Sequence, residues 1–219
     1  MIIAIDGPAG AGKSTVAKIL AKKLGFLYLD TGAMYRALTW KALETGTDIN
    51  DEAAMKALAR DSTIDLKTAP EGLAVLIDGR DVSSAIREPR VSARVSDVAK
   101  IAGVRGVMVS LQKKLGHSKN CILDGRDIGT VVFPDADHKF FVDASCAERV
   151  ERRFKDFKNL NIGGVSREQV EKDLTNRDHI DSTRECGPLK KADDAVYLDT
   201  TSLSIDQVVE KMLENIKGK

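Results

Sequence analysis

The stretch that most narrows what this chain can become is its opening, Met1 to Thr15. Ile2, Ile3, Ala4 and Ile5 form an apolar run, and Gly7-Pro8-Ala9-Gly10-Ala11-Gly12-Lys13-Ser14 then matches G-x-x-x-x-G-K-[ST] at every fixed position. A loop that wraps a triphosphate must turn successive backbone N–H groups inward, and only residues without bulky side chains let phosphate come that close. Gly7, Gly10 and Gly12 supply such a backbone. Lys13 supplies a cation for the β and γ phosphates, and the Ser14 hydroxyl is the expected protein ligand of a Mg²⁺ that otherwise keeps its waters. Lys13 also opens a predicted helix whose Val16, Ile19, Leu20 and Leu24 share one face, which puts the phosphates at a helix N-terminus. A glycine-rich turn that binds nothing is the plain alternative; strand, loop and helix in the required order argue against it.

With 219 residues and 42% hydrophobic content the chain suits one domain, or a core with insertions. Lys and Arg total 34 against 33 for Asp and Glu, so nothing in the balance suggests nucleic acid or an anionic membrane as partner. Cys121, Cys146 and Cys186 are odd in number and lack C-x-x-C spacing, which reads as reduced structural thiols in a cytosolic protein. The apolar start is too short for a signal peptide, and no run approaches the roughly 18 apolar residues of a membrane span, so a soluble, cytoplasmic protein is expected.

Further along, Phe26 to Leu29 reads as a buried strand leading into Asp30-Thr31-Gly32-Ala33-Met34-Tyr35-Arg36, with Thr31 expected to cap a helix that runs to about Thr45. Asp30, Thr31, Tyr35 and Arg36 then cluster at a strand end, the edge where parallel sheets bind ligands. A helix over 51–60 precedes two β-like runs, Thr63–Lys67 and Leu73–Ile77, around Pro70-Glu71-Gly72; this is a hairpin, closed by a turn at Asp78–Asp81. Glu88 to His117 reads as two helices broken near Gly103, and Cys121-Ile122-Leu123 as a strand leaving through Asp124-Gly125-Arg126-Asp127. Asp124 admits two readings, an acid that orients magnesium waters or an ordinary turn residue. His138–Asp143 is another strand, Cys146–Phe157 a basic helix, and a further helix starts at about Ser166. Within it Arg177, Asp181 and Arg184 recur at i, i+4 and i+7 on one face, the spacing of an exposed ion ladder or, beside a triphosphate, of an arginine clamp. A last strand, Ala195–Asp199, and a helix, Ser204–Lys217, complete an alternating α/β array of about five strands, expected parallel.

The stretches IDGPAGAGKST (5–15), LDTGAMYR (29–36), LDGRDIGTVVFPDA (123–136), RDHIDSTR (177–184) and LDTTSLSIDQVVEK (198–211) resemble the bacterial cytidylate kinases, within the nucleoside monophosphate kinases, along nearly the whole chain. The resemblance implies a P-loop NTPase core with a five-stranded parallel sheet flanked by helices (about 1–30, 118–151 and 189–219), a nucleotide-binding arm (about 31–117) with a small β insert (about 62–88), and a helical lid (about 152–188). It implies transfer of the ATP γ-phosphate to CMP or dCMP with Mg²⁺, by a monomer without nucleic-acid or membrane partners.

ATP would lie on Gly7, Pro8, Ala9, Gly10, Ala11, Gly12, Lys13, Ser14 and Thr15, with Lys13, Arg126, Arg177 and Arg184 at the reaction. Arg36 and Arg126 would hold the acceptor phosphate, and Arg177 would join them on the transferring group. Ser96, Arg105 and Asp127 would read cytosine with Thr31 nearby, Tyr35, Asp181 and Arg184 would lie at the sugar, and Asp30 would belong to the same CMP site. The physical logic agrees: arginine stays charged and grips phosphate in two places, and a carboxylate accepts from the cytosine amino group. The rivals are a phosphate-loop kinase for UMP or for a shikimate- or gluconate-type acceptor, and a nucleotide switch. The switch would carry N-K-x-D and D-x-x-G, which the chain lacks.

Overall fold

The structure, a computed structural model, describes residues 1–69, 72–117, 120–159 and 164–218. Pro70 and Glu71 of the expected hairpin turn, and 160–163 between the expected helix Cys146–Phe157 and the one from about Ser166, lie outside the described residues. In chain order the elements begin β1 (Ile2–Asp6), α1 (Lys13–Leu24), β2 (Leu27–Asp30), α2 (Thr31–Thr45), α3 (Glu52–Arg60), β3 (Ile64–Ala69), β4 (Gly72–Ile77) and β5 (Arg80–Asp81). They continue α4 (Pro89–Lys100), α5 (Ala102–Gly116), β6 (Cys121–Gly125), β7 (His138–Asp143), α6 (Cys146–Asn159), α7 (Arg167–Thr183), β8 (Val196–Asp199) and α8 (Ile205–Lys217).

The main sheet has five strands in the order β2-β6-β1-β7-β8, all paired in parallel. Its central strand needs apolar side chains on both faces, because helices cover both. Alternation then sends Ile3 and Ile5 to one face, with Leu20 of α1, Phe140 and Met212 of α8, and Ala4 to the other, with Leu29, Leu123 and Phe133. Parallel pairing also brings every strand's carboxyl end to one edge. Asp6 stands opposite Gly125 and Asp30 opposite Asp124, so the polar exits of three strands meet there.

A second core joins α2, α4 and α5 to a separate antiparallel sheet, β3-β4-β5. Two local expectations need correction and one is made more exact. Asp78–Asp81 is not only a turn, since Arg80–Asp81 pairs with Leu76–Ile77 as a third strand. The expected break near Gly103 falls at Ile101, whose extended backbone (φ −68°, ψ 114°) separates α4 from α5. The cap of α2 is Asp30, whose carboxylate accepts the Ala33 N–H at 2.7 Å, so Thr31 is its first helical residue.

Candidate active site

The phosphate loop leaves β1 with Gly7 at φ 146° and enters α1 through Gly12 at φ 90°. A Cβ on Gly7 would stand 1.9 Å from the Val142 carbonyl oxygen, so both backbone angle and close strand packing demand glycine there. Two arginines of α6 hold the loop from outside. Arg149 donates to the Ala9 carbonyl at 3.1 Å and to Asp178 of α7 at 2.5 Å, and Arg152 donates to the Ala11 carbonyl at 3.3 Å and to Thr200. The Lys13 ammonium, 5% exposed, donates to the Pro8 carbonyl at 2.6 Å. Burial and then the Arg126 charge push it well below the ordinary lysine range, a penalty on its positive charge that a neighbouring polyanion relieves.

Asp124 is the hub beneath the loop. One carboxylate oxygen accepts the Ser14 hydroxyl at 2.7 Å and the other the Tyr28 hydroxyl at 2.8 Å, while the Asp124 carbonyl accepts from Thr31 at 2.7 Å. It is a buried strand residue, which removes the reading as an ordinary turn aspartate. Burial, then the charge of Asp30, raises its carboxyl above the usual range. Asp30 in turn pairs with Arg36 at 3.0 Å.

Beyond the loop the exits of β6 and α7 face each other. Arg126 Nε donates to Asp181 at 2.8 Å, Ser96 Oγ donates to the same carboxylate at 3.3 Å, and Arg184 and Arg177 approach it at 3.6 and 3.9 Å. Asp127 is bonded directly to Arg105, which also donates to the Ala99 carbonyl at 3.2 Å, and lies 3.7 Å from Arg184. The Tyr35 ring lies 5.7 Å from the Arg105 guanidinium, and its hydroxyl is buried. Four arginines (105, 126, 177, 184) thus share two carboxylates (127, 181), an excess of two positive charges in a buried cluster. Burial, then Arg126, pushes the Arg177 guanidinium down; burial alone would raise Asp181, but Arg126, Arg177 and Arg184 hold it below the ordinary carboxylate range. An arriving anion relieves that imbalance.

A cavity of about 710 Å³ runs from the loop to this cluster. Every candidate residue lines it except Gly7 and Pro8, which shape the loop from behind. The i, i+4, i+7 residues are a buried network rather than an exposed ladder, and Arg184 sits just past the end of α7, its Nε held by the Gly187 carbonyl at 2.7 Å. Ser96 meets Asp181, not Asp127. Sequence reasoning missed Arg149, Arg152 and Thr200 as braces of the loop; the arginines were visible only as basic residues of one helix. It also missed Asp6, whose signal was a charge ending an apolar strand.

Residues 3–218 match the family model described as cytidylate kinase. A Bacillus licheniformis protein named cytidylate kinase is 53% identical over 221 residues, spanning 100% of this chain and 97% of its own length. One of the same name from Clostridioides difficile is 49% identical over 216 residues, spanning 99% and 98%. Shikimate kinase from Acinetobacter baumannii, solved in complex with shikimate, superposes with a TM-score of 0.50 at 18% identity, covering 99% of this chain and 93% of that one. Shikimate kinase from Bacteroides thetaiotaomicron gives 0.52 at 11% identity, covering 99% and 98%. At such identities these two likenesses speak of the fold alone.

Proposed function

The chain belongs to the cytidylate kinase family, and from that premise we propose that it transfers the γ-phosphate of ATP to CMP or dCMP, giving ADP and CDP or dCDP. The observation that carries the reading is one continuous cavity with a phosphate loop at one end and a buried Arg105–Asp127 pair at the other, the guanidiniums of Arg36, Arg126, Arg177 and Arg184 lining it as well. Phosphoryl transfer leaves the protein little covalent work, so rate comes from alignment and from cations around the moving charge.

In this reading Gly7 to Thr15 wrap the ATP phosphates and Lys13 exchanges its bond to the neutral Pro8 carbonyl for the charged γ-phosphate. Arg36 and Arg126 hold the acceptor phosphate; each is now engaged by one carboxylate, Asp30 and Asp181, which keeps the guanidinium planes oriented before substrate arrives. Arg177 and Arg184 serve the transferring group and the sugar, with Asp181 and Tyr35. Asp127 accepts from the cytosine amino group, and Arg105 and Ser96 address the ring acceptors. Uracil presents a carbonyl where cytosine presents the amino group, which leaves the Asp127 carboxylate opposed by an acceptor.

The oxygen donors fit a hard divalent cation: Ser14 Oγ and Asp124 Oδ2 are adjacent at 2.7 Å beside the loop. Among the described residues no group of three or more His, Cys, Asp or Glu could hold a metal. That suits Mg²⁺ held by Ser14, phosphate oxygens and waters that Asp124 orients. When bound, Mg²⁺ neutralises charge on the β and γ phosphates.

We divide the chain into a core (about 1–30, 118–151, 189–219), an arm (about 31–117) and a lid (about 152–188) that closes over both nucleotides and excludes water. Support for closure comes from Ser96–Asp181 and Arg153–Ser92 at 3.4 Å, contacts that join the arm to the lid. Among the described residues no helix is long and apolar enough to cross a membrane, and we place the protein in the cytoplasm as a monomer. A coupled ADP-release assay across CMP, dCMP, UMP, AMP, shikimate and gluconate tests the reading. Turnover should favour CMP and dCMP; turnover preferring any other acceptor, or none, would refute it.

A further inference from the structure

The last residue of β1, Asp6, is a buried carboxylate that none of the proposed substrate contacts uses. Its Oδ1 accepts the Ile128 N–H at 2.8 Å and its Oδ2 the Gly129 N–H at 2.7 Å. These are the first two amides of a wide helical turn, Ile128–Val132, that follows Asp127, and such amides have no partner within the turn itself. Both carboxylate oxygens are therefore committed to backbone on the far side of the Asp124–Asp127 exit.

What lies on either side gives this bond its meaning. The chain after Asp6 is the phosphate loop, starting at Gly7; the chain before Ile128 carries Asp124 on Ser14, Arg126 on Asp181 and Asp127 on Arg105. The parallel ladder ends where Asp6 meets Gly125, so beyond that point the side chain replaces the backbone as the tie between donor and acceptor loops. The fit is close: a Cβ on Gly129 would stand 3.4 Å from Asp6 Oδ2 and 3.2 Å from Lys139 Cδ. The Lys139 ammonium is itself engaged with Asp194 at 2.8 Å, and among the described residues no ion pair is made by Asp6. Burial, with the Asp127 charge adding to it, raises the Asp6 carboxyl to about 6, while the two amides and Lys13 oppose the rise. A group kept buried on such terms is poorly explained by stability alone.

We infer that Asp6 is a positioning residue for the transfer, its two oxygens clamping the Ile128 and Gly129 amides so that the phosphate loop and the Arg126–Asp127 turn are held at reacting distance. The inference rests on the reading of the cavity as a two-nucleotide site. Asparagine at this position keeps one acceptor but turns an NH₂ toward the second amide, so the clamp loosens while both half-sites keep every ligand-binding side chain.

The test uses the full chain carrying Asp6→Asn, and a probe in which adenosine and cytidine are joined by a polyphosphate bridge. The bridged compound reads the distance between half-sites, because its advantage over the separate nucleotides exists only if both ends seat at once. We expect Asp6→Asn to bind ADP and CMP within about threefold of the unaltered chain, to lose roughly tenfold or more of the bridged compound's affinity, and to lose roughly 10- to 100-fold in kcat with little change in KM. An active-site titration corrects kcat for any unfolded fraction. A folded variant with unchanged kcat and bridged affinity would overturn the inference, as would equal loss of affinity for all three compounds. If Asp6→Asn does not fold, Gly129→Ala presses on the same clamp from the other side: selective loss of bridged affinity upholds the inference, and unchanged behaviour overturns it. Inactivity of the unaltered chain toward CMP would instead sink the functional reading beneath it.

Discussion

Asp127 has two jobs that a substitution can pull apart. It is the proposed acceptor for the cytosine amino group, and it is the counter-ion of Arg105 and Arg184, all three being buried. Asp127→Ala leaves two buried guanidiniums short of a carboxylate, a change that destabilises by about 3–5 kcal/mol when no other partner remains. Here Arg105 keeps the Ala99 carbonyl at 3.2 Å, and Arg184 keeps Asp181 at 3.6 Å and the Gly187 carbonyl at 2.7 Å, which argues for the lower end. At about 3 kcal/mol, and roughly 2–4 °C per kcal/mol for a domain of this size, the unfolding midpoint should drop by about 6–12 °C. Asp127→Asn is the cleaner probe, since its amide oxygen still accepts from Arg105 and only the charge is lost. Its NH₂ can donate to the uracil carbonyl, so the kcat/KM ratio of CMP to UMP should fall by about 10- to 100-fold. ADP release with each acceptor, alongside thermal unfolding, measures both effects. An asparagine variant that unfolds early yet keeps the parent's CMP to UMP ratio would show that Asp127 serves only as a counter-ion, and the base-reading role would be wrong.

Lys13→Ala should lose about 10³-fold or more in kcat while the unfolding midpoint holds or rises, because it removes a buried cation whose burial and Arg126 neighbour disfavour its charge; retained turnover would contradict the mechanism. Among the described residues Arg177 Nε has no hydrogen bond and its nearest paired carboxylate oxygen is 3.9 Å away, so Arg177→Ala should barely change thermal stability yet shrink the rise in melting temperature produced by inorganic phosphate. A large loss of stability without phosphate would refute that. The Asp6 carboxyl, raised from 3.8 to about 6, binds its proton more tightly folded than unfolded. Its contribution to stability therefore grows as pH falls through that window, by up to roughly 3 kcal/mol. Urea unfolding should show the unaltered chain gaining on Asp6→Asn between pH 7 and pH 4, and a constant difference would refute the assignment.

Much of this molecule can be read from the linear chain wherever physics acts over a few residues. A phosphate loop is a local backbone shape, so Gly7, Gly10, Gly12, Lys13 and Ser14 announce it by spacing alone. Apolar runs alternating with helical periods likewise point to a parallel α/β sheet, and the order of short motifs along the chain identifies the family. What the chain could not disclose depends on which side chains meet across long separations. Whether Asp124 is a turn residue or a buried hub follows from Ser14 and Tyr28 lying against it, 110 and 96 positions away. Whether Arg177, Asp181 and Arg184 form an exposed ladder or a buried cluster follows from Arg126 and Ser96 arriving from other elements. Capping went astray at Thr31 for the same reason, since its hydroxyl is taken by the distant Asp124 carbonyl and Asp30 does the capping. Asp6 is the extreme case: in sequence it is one charge at the end of a strand, and only the fold supplies the two amides, 122 and 123 positions on, that give it a role.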